Sequence, residues 1–562
     1  MEDCFKVGIV GAGPTGLVLG VELGLRGIPT VLFDLRSETT RYPKGGTNSA
    51  RSMEHYRRYG IAAKLRHAGL PGDHPTDIGY FTRLTGTELA RVRLPSRADI
   101  LATGMAETPE PPHRASQMYL EPLLLEKLSL LPSVKLAFGH EVKRVTEQPD
   151  GVILEVRNCA TQADTSYEVD YVVGCDGANS LVREAMNVVY EGEAGKIRKF
   201  MGGKMMAIYF ESQELQEILS KRPCWQYWSV NDERRCVMSA VDGERSFFMH
   251  IQIPQDATPD EQAARTFVRQ AIGRDVAFDL ISISFWTAGK ALTAERFREG
   301  RLFVLGDAAH IFTPTGGFGL NTGVDDAANL GWKLAARLQG WGGNALIESY
   351  HTERHAVAVR NTQAALTIAN RVGACPVSAA IEATGPEGDA ARKATADYLA
   401  QYAFMEFDTL GIQLGASYAG SGVVIDDGSP ASQDDPTVYT PSSRPGGRLP
   451  HLWLAPNRSI LDAIGPGLTL VTINTTIDER DWHSAAEQIG VPFDIVALSG
   501  AAAAKLYRCA LLLIRPDQHI AWRADAPPAD IESILKTVLG MLEKRTTSRK
   551  GREGIKEEQT HA

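Results

Sequence analysis

The segment Gly11-Ala12-Gly13-Pro14-Thr15-Gly16 constrains this chain more than any other. It follows an apolar run, Phe5-Lys6-Val7-Gly8-Ile9-Val10, and opens a stretch of helical spacing that reaches Gly27, so it reads as strand, tight turn and helix. Glycines in such a turn let backbone N–H groups approach a pyrophosphate, which the helix N-terminus also attracts. A second strand, Thr30 to Asp34, closes a βαβ unit and ends on an acidic side chain that can accept hydrogen bonds from a ribose diol. Gly11, Gly13, Pro14, Thr15, Gly16 and Asp34 are therefore expected to bind a dinucleotide. The pattern alone leaves NAD and FAD both open.

A chain of 562 residues is too long for one core, so two or three domains are expected. Helices are expected over 51–69 and 121–131, with strands at 134–138, 141–147, 152–156 and 168–173. From about 200 to 290 the pattern shifts to longer strand-like runs, 204–210, 235–241, 246–253 and 279–286, which predict an antiparallel sheet in a separate lobe. Another buried strand, 302–305, and a long helix from about Gly323 to Leu338 return the chain to its first domain. Residues 421–447 have the Gly, Ser, Pro and Asp content of a linker. Beyond it, strands at 468–473, 493–498, 510–514 and 519–522, with helices near 480–489 and 528–543, predict a small thioredoxin-like unit without a redox cysteine pair. The last residues are nearly all charged or polar and are expected to be disordered.

The net charge of −9, with no basic stripe, argues against a nucleic-acid partner. Seven scattered cysteines, with no C-x-x-C pair and no metal-ligand spacing, read as reduced thiols of a cytoplasmic protein and give no metal site. No secretory leader pattern is visible at the start, and no stretch approaches the ~18 apolar residues of a membrane span.

A second motif, Gly306-Asp307-Ala308-Ala309-His310, is followed by Pro314 and by Gly316-Gly317-Phe318-Gly319-Leu320-Asn321. A third is Cys175-Asp176-Gly177-Ala178-Asn179-Ser180 with Arg183. Together with the first turn, these resemble the flavin-binding motifs of the para-hydroxybenzoate hydroxylase and phenol hydroxylase class of FAD-dependent aromatic hydroxylases. The resemblance covers about residues 5–365, and the C-terminal unit is more loosely similar to that of phenol hydroxylase and its polyketide-tailoring relatives. Gly69-Leu70-Pro71-Gly72-Asp73-His74-Pro75 and 316–323 look most like the flavoenzymes that tailor indolocarbazoles and aromatic polyketides.

The resemblance implies an α/β fold: a Rossmann-like FAD-binding domain of glutathione-reductase type (1–190 and 291–420), an inserted antiparallel-sheet substrate domain (191–290), a linker (421–447), a thioredoxin-like C-terminal domain (448–544) and a disordered tail (545–562). It implies that Asp307 holds the ribityl chain, that Gly319, Leu320 and Asn321 set backbone N–H groups against the flavin ring, and that Asp176 contacts FAD. Arg51 and Gln117 match positions that contact the FAD phosphate and ribose region. Pro314 and Asn321 are the expected catalytic-edge residues. Lys44 stands where many relatives carry arginine, a point charge in place of a bidentate fork. His74 and His310 invite catalytic readings, but a lone histidine beside a cofactor loop is more often a hydrogen-bonded structural residue.

The implied activity is an NAD(P)H-consuming monooxygenase that hydroxylates a phenolic or polycyclic aromatic substrate with O2 through a flavin C4a-hydroperoxide, with NAD(P)H bound only transiently and a homodimer as the family expectation. Trp286, Met206, Phe248 and Tyr227 are the expected lining of an apolar roof over the substrate. Alternating aromatics that merely pack the sheet are the competing account. Two rival functions stay open: a Baeyer–Villiger or multi-step oxidative tailoring flavoenzyme, and a non-catalytic flavin-binding redox sensor. Substrate identity, regiochemistry, the choice between NADH and NADPH, and the catalytic base are not set by the sequence.

Overall fold

The computed structural model describes residues 4–542, except 196, 197, 199 and 432, so the expected disordered tail lies outside the described residues. Strands Val7–Val10 and Thr30–Asp34 are buried throughout, the near-continuous apolar run that a parallel strand covered on both faces requires. They pair in parallel with each other and with Tyr171–Gly174 and Val134–Phe138. Leu302–Val304 extends the sheet beside Tyr171–Gly174, and Arg298–Glu299 closes it as an antiparallel edge. Helix Pro14–Gly24 starts with proline at its first turn, where the missing N–H costs nothing. It packs against the long helix Phe318–Leu338, and Gly331 of that helix leaves room for Glu22 and Leu19. Two further helices, Asn344–Ala374 and Pro386–Tyr402, fill a stretch that the sequence patterns left unassigned.

The second sheet corrects the expected substrate domain in two ways. It has seven strands in the order Asp279–Thr287, Lys204–Glu211, Ser246–Gln252, Cys236–Ala240, Gln226–Ser229, Ile78–Phe81, Glu88–Val92, so two of them come from outside 191–290. It is also mixed, because Gln226–Ser229 runs parallel to Ile78–Phe81. The unpaired edge of Gln226–Ser229 would otherwise expose a row of backbone donors and acceptors, and the segment that leaves the first domain near residue 78 covers it.

Register divides this sheet into two faces. Met206, Ile208 and Phe210 stand opposite Ile251, Met249 and Phe247, and Met249 in turn opposes Met238, which opposes Tyr227. That face is roofed by helix Glu261–Ile272: Arg265 and Arg269 of the helix lie over Phe278, whose ring contacts Phe210. Ala207, Tyr209, Phe248, His250, Ser239, Trp228 and Trp286 alternate onto the other face.

The C-terminal unit is a four-stranded sheet in the order Phe493–Leu498, Leu468–Ile473, Leu511–Ile514, Ile520–Ala524, parallel in its first pair and antiparallel in the others. With helices Glu479–Ile489, Ala501–Tyr507 and Ile531–Val538 this is the strand order and connectivity of a thioredoxin fold. The described residues of 421–447 carry no helix or strand but are pinned to it, with Ile425 N–H donating to Ala521 O and Gly446 N–H to Ile520 O. The stretch is a strap more than a spacer.

This unit docks on the first domain through buried charge. Arg515 donates to both oxygens of Glu353 at 2.7 and 2.8 Å and to Asp517 at 2.5 Å. Lys333 reaches the same Glu353 at 2.6 Å, and Arg448 reaches Glu54 at 2.9 Å. Beside them Arg354 bridges Asp325 and Asp326 at 2.6 and 2.7 Å. Burial opposes the charge on Glu353, yet Arg515 and Lys333 hold its carboxyl far below the usual range, while burial lowers Lys333 to about 8. Among the described residues no helix is long and apolar enough to cross a membrane.

Candidate active site

Three glycines of the first turn answer three different demands. Gly11 has φ +102°, and a Cβ there would lie 2.4 Å from Cys175 O. At Gly16 a Cβ would lie 2.0 Å from Gly11 O, so side chains at both positions are excluded by the protein itself. Gly13 has open space around it and caps helix Pro14–Gly24 without a side-chain bond, which leaves the first N–H groups of that helix for an outside acceptor. Thr15 fills the space between Gly306 and Gly323 and so ties this turn to the second motif.

Asp34 lies at the strand end beside the turn, where Ala12 N–H donates to its Oδ2 at 2.7 Å. Burial would raise its pKa, but the paired hydrogen bonds from Arg36, both 2.9 Å, hold it below the usual value. Arg36 was missed by the sequence reading; its only signal was a cation two residues after the strand-end acid. Gln117 starts helix Gln117–Ser129, and its side-chain amide donates to Glu121 at 2.6 Å.

Asp307 sits in the 3-10 turn Gly306–Ala308 at the end of strand Leu302–Val304. Its side chain is exposed, has no protein hydrogen-bond partner among the described residues, and has its pKa raised by the surrounding protein. Tyr190 donates to Asp307 O at 2.7 Å while Arg183 stacks on the Tyr190 ring at 4.1 Å, which brings the third motif against the second. Asp176 accepts Leu181 N–H at 2.7 Å through one oxygen, and its other oxygen is buried without a partner. A carboxylate without a partner among the described residues, a buried orphaned carboxylate oxygen and an uncapped helix start thus belong to the three motifs. That donor and acceptor set fits a flavin dinucleotide, rich in hydroxyls and anionic at its pyrophosphate.

The loop after Pro314 turns through Gly316 and Gly317, at φ +77° and +66°, and leads into helix Phe318–Leu338. The Asn321 side chain is wholly engaged: its amide donates to Thr47 O and Gly317 O at 3.0 and 2.7 Å, and its oxygen accepts from Ser49 N–H and Ser52 Oγ at 2.8 and 2.7 Å. The expectation of a catalytic Asn321 is therefore corrected. The side chain bolts the loop to residues 47–52, and only the backbone of Gly319, Leu320 and Asn321 is left at the helix start. His310 pairs with Asp326 at 2.6 Å, the structural role anticipated for it.

Arg51 is also corrected. Its guanidinium donates to Gln518 at 2.7 Å, Asp517 O at 2.6 Å and Glu54 at 3.0 Å. It is part of the joint with the C-terminal unit and has no reach left for a phosphate.

On the second sheet, Trp286 and Phe248 share the face away from helix Glu261–Ile272 with His250, whose Nδ1 accepts from Trp286 Nε1 at 3.3 Å. Burial lowers His250 to about 4 and keeps it neutral. Met206 and Tyr227 do not line this face: they alternate to the helix-covered side, where Tyr227 stacks on Phe81 and accepts Cys224 N–H. The expectation for these two is overturned by strand parity.

A cavity of about 40 Å³ lies between this sheet and the helices of 344–402, lined by Tyr80, Phe200, Trp228, Arg235, Tyr402 and Glu406 among others. Glu406 ends the 3-10 turn Ala403–Glu406 and accepts Gly316 N–H at 3.2 Å, linking the cavity to the glycine loop. Burial raises Glu406 to about 7, against the lowering effect of Gly316 N–H and Arg114. Arg114 lies 4.1 Å over the Trp225 ring, donates to Thr47 Oγ1 at 2.7 Å, and is lowered by burial to about 10. No sequence motif marked Glu406.

The family model for an FAD binding domain matches residues 4–365, and the model for the C-terminal domain of aromatic-ring hydroxylases matches residues 442–541. A putative polyketide hydroxylase of Streptomyces halstedii is 30% identical over 576 aligned residues, covering 95% of this chain and 97% of that protein. The rebeccamycin biosynthetic enzyme RebC, solved with reduced flavin, is 33% identical with a TM-score of 0.86, covering 96% of this chain and 99% of that one. The flavin-dependent monooxygenase PieE, solved with FAD and substrate, is 27% identical with a TM-score of 0.87, covering 96% of this chain and 100% of that one.

Proposed function

The chain belongs to the FAD-binding aromatic-ring hydroxylases, and on that premise we propose that it is an NAD(P)H-consuming monooxygenase that places one oxygen atom from O2 on the ring of a phenolic or polycyclic aromatic substrate. Bound FAD supplies the redox chemistry, taking a hydride from NAD(P)H and activating O2. The chain's part is to bind, orient and exclude water. In this reading Gly13 and the start of helix Pro14–Gly24 would hold the pyrophosphate, Asp34 the adenosine ribose and Asp307 the ribityl hydroxyls. The backbone N–H groups of 319–321 would stabilise negative charge on the ring, as a helix N-terminus does. Asp176 and Gln117 complete the cradle, and Pro314 borders the reacting edge. Tyr80, Phe200 and Trp228 would line the substrate cavity, while Trp286 and Phe248, on the same sheet face as Trp228, are not among its lining residues.

The observation that carries the proposal is the aromatic cavity closing on the Gly316 loop through Glu406. Similarity to a putative polyketide hydroxylase favours a polycyclic substrate over a single ring. A homodimer in the cytoplasm belongs to the same proposal. The test adds a panel of phenols and polycyclic aromatics to the purified yellow protein while NAD(P)H loss, product mass and the product's carbon skeleton are followed. One added oxygen on an intact skeleton is expected. A ring-expanded product would instead favour a Baeyer–Villiger oxygenase, and no substrate-stimulated NAD(P)H loss would leave a flavin-binding sensor.

A further inference from the structure

An aromatic ring attacks an electrophilic oxygen best as its phenolate, so a hydroxylase of this kind needs somewhere to put the phenolic proton. Among the described residues Glu406 is the one carboxyl lining the aromatic cavity, it forms no ion pair, and its single hydrogen bond comes from the N–H of Gly316, two residues beyond Pro314. The other titratable groups facing the cavity are Tyr80 from the sheet, Arg371 and Cys375 from the end of Asn344–Ala374, Tyr398 and Tyr402 from Pro386–Tyr402, and Arg235 beside strand Cys236–Ala240. Arg114 approaches from the strand His113–Arg114.

These neighbours divide the labour. Arg235 donates to Cys375 O, Arg371 stacks on the Tyr402 ring at 4.4 Å, and neither has a carboxylate within ion-pair distance among the described residues. Cations so placed favour the anionic form of a phenol seated between them. Glu406, meanwhile, sits where burial makes a proton welcome.

We infer that the Glu406 carboxylate is a catalytic residue that accepts the proton of a phenolic hydroxyl bound in this cavity. The O–H bond of the phenol breaks, an O–H bond forms on Glu406, and the electron pair stays on the phenolic oxygen, shared with the ring. Nothing is oxidised or reduced in this step. Glu406 must be ionised to act, so its contribution grows as pH rises through about 7 and is lost below it. The inference rests on the hydroxylation reading of the cavity.

Proton counting without turnover tests it. β-Naphthol, whose phenolate has its own absorbance band, is bound to oxidised holoenzyme at about pH 8, above the value near 7 of Glu406 and below the ordinary phenol value of ~10. Phenolate absorbance and protons released to a weakly buffered medium are both measured. The wild-type protein is expected to form phenolate with no net proton release, whereas Glu406→Gln either forms none or releases about one proton per phenolate. Phenolate formed to the same extent by both proteins with equal proton release per phenolate, or about one proton released per phenolate by the wild type, overturns the role of Glu406 while leaving the cavity intact. Failure of β-naphthol and of larger hydroxylated aromatics to perturb either flavin or ligand spectra removes the hydroxylation reading and the inference with it.

Discussion

Two regions of the first domain bury arginines against another part of the molecule, and they treat them in opposite ways. At the joint with the C-terminal unit every guanidinium has a carboxylate: Arg515 has Glu353 and Asp517, Arg354 has Asp325 and Asp326, and Arg448 has Glu54. Around the aromatic cavity, among the described residues, Arg114, Arg235 and Arg371 have none within ion-pair distance, the Asp307 carboxylate is exposed without a partner, and Glu406 forms no ion pair although Arg114 is near enough to lower it. Desolvating a charge is expensive unless it is paired. Where the chain supplies the counter-charge, the contact is a closed structural joint; where it does not, an outside molecule is the natural partner.

The difference can be broken most forcefully at Arg515. Arg515→Ala would leave Glu353 and Asp517 buried and short of a cation, and should cost about 3–5 kcal/mol of stability, read by denaturant unfolding of the holoprotein. A loss below about 1 kcal/mol, the range of exposed pairs, would mean that the joint is held by something other than its charges.

On the open side, Asp307→Ala removes a carboxylate that bonds nothing in the protein. Flavin affinity should fall by roughly 1.5–3 kcal/mol, or about 10–100-fold, with apoprotein stability unchanged. Fluorescence titration of apoprotein with FAD measures the first and thermal unfolding the second. Full stoichiometric flavin in the variant would contradict the assignment.

The smallest expected effect sharpens the contrast most. Arg371→Met takes away an unpaired, partly buried cation whose Nε has no partner, so the thermal midpoint should stay level or rise. Affinity for an anionic aromatic ligand should drop about tenfold, roughly 1.4 kcal/mol. Destabilisation comparable to that at Arg515, without weaker ligand binding, would place Arg371 among the structural charges.

The same contrast separates what the sequence disclosed from what it hid. Gly11, Gly13, Gly316 and Gly317 were legible because a backbone demand selects the residue type locally, and with them came the fold and the cleft. Arg51 was not: an arginine opening a helix can reach a phosphate or a neighbouring domain, and the choice is made by Asp517 and Gln518, far along the chain. Alternation gave the sheet two faces without saying which one helix Glu261–Ile272 would cover, hence Phe248 and Trp286 on the open side and Met206 and Tyr227 on the closed one. Strand Ile78–Phe81 escaped because its parallel partner lies in another part of the chain. Glu406 owes its surroundings to several separate segments, so nothing local could mark it.

Helix Ala50–Tyr59 belongs to the first domain by position but not by completion. Its Glu54 is matched by Arg448, 394 residues later, and its Arg51 by Asp517, 466 residues later. At ~5–20 residues per second a ribosome needs on the order of 20–80 s between the first partner and the second. For that interval Glu54 has only Arg51 of its own helix to pair with, and Arg51 lacks the carbonyl of Asp517, so the set of partners around both is completed only when the carboxy-terminal part has emerged. Biosynthesis of this molecule thus ends where its first domain began.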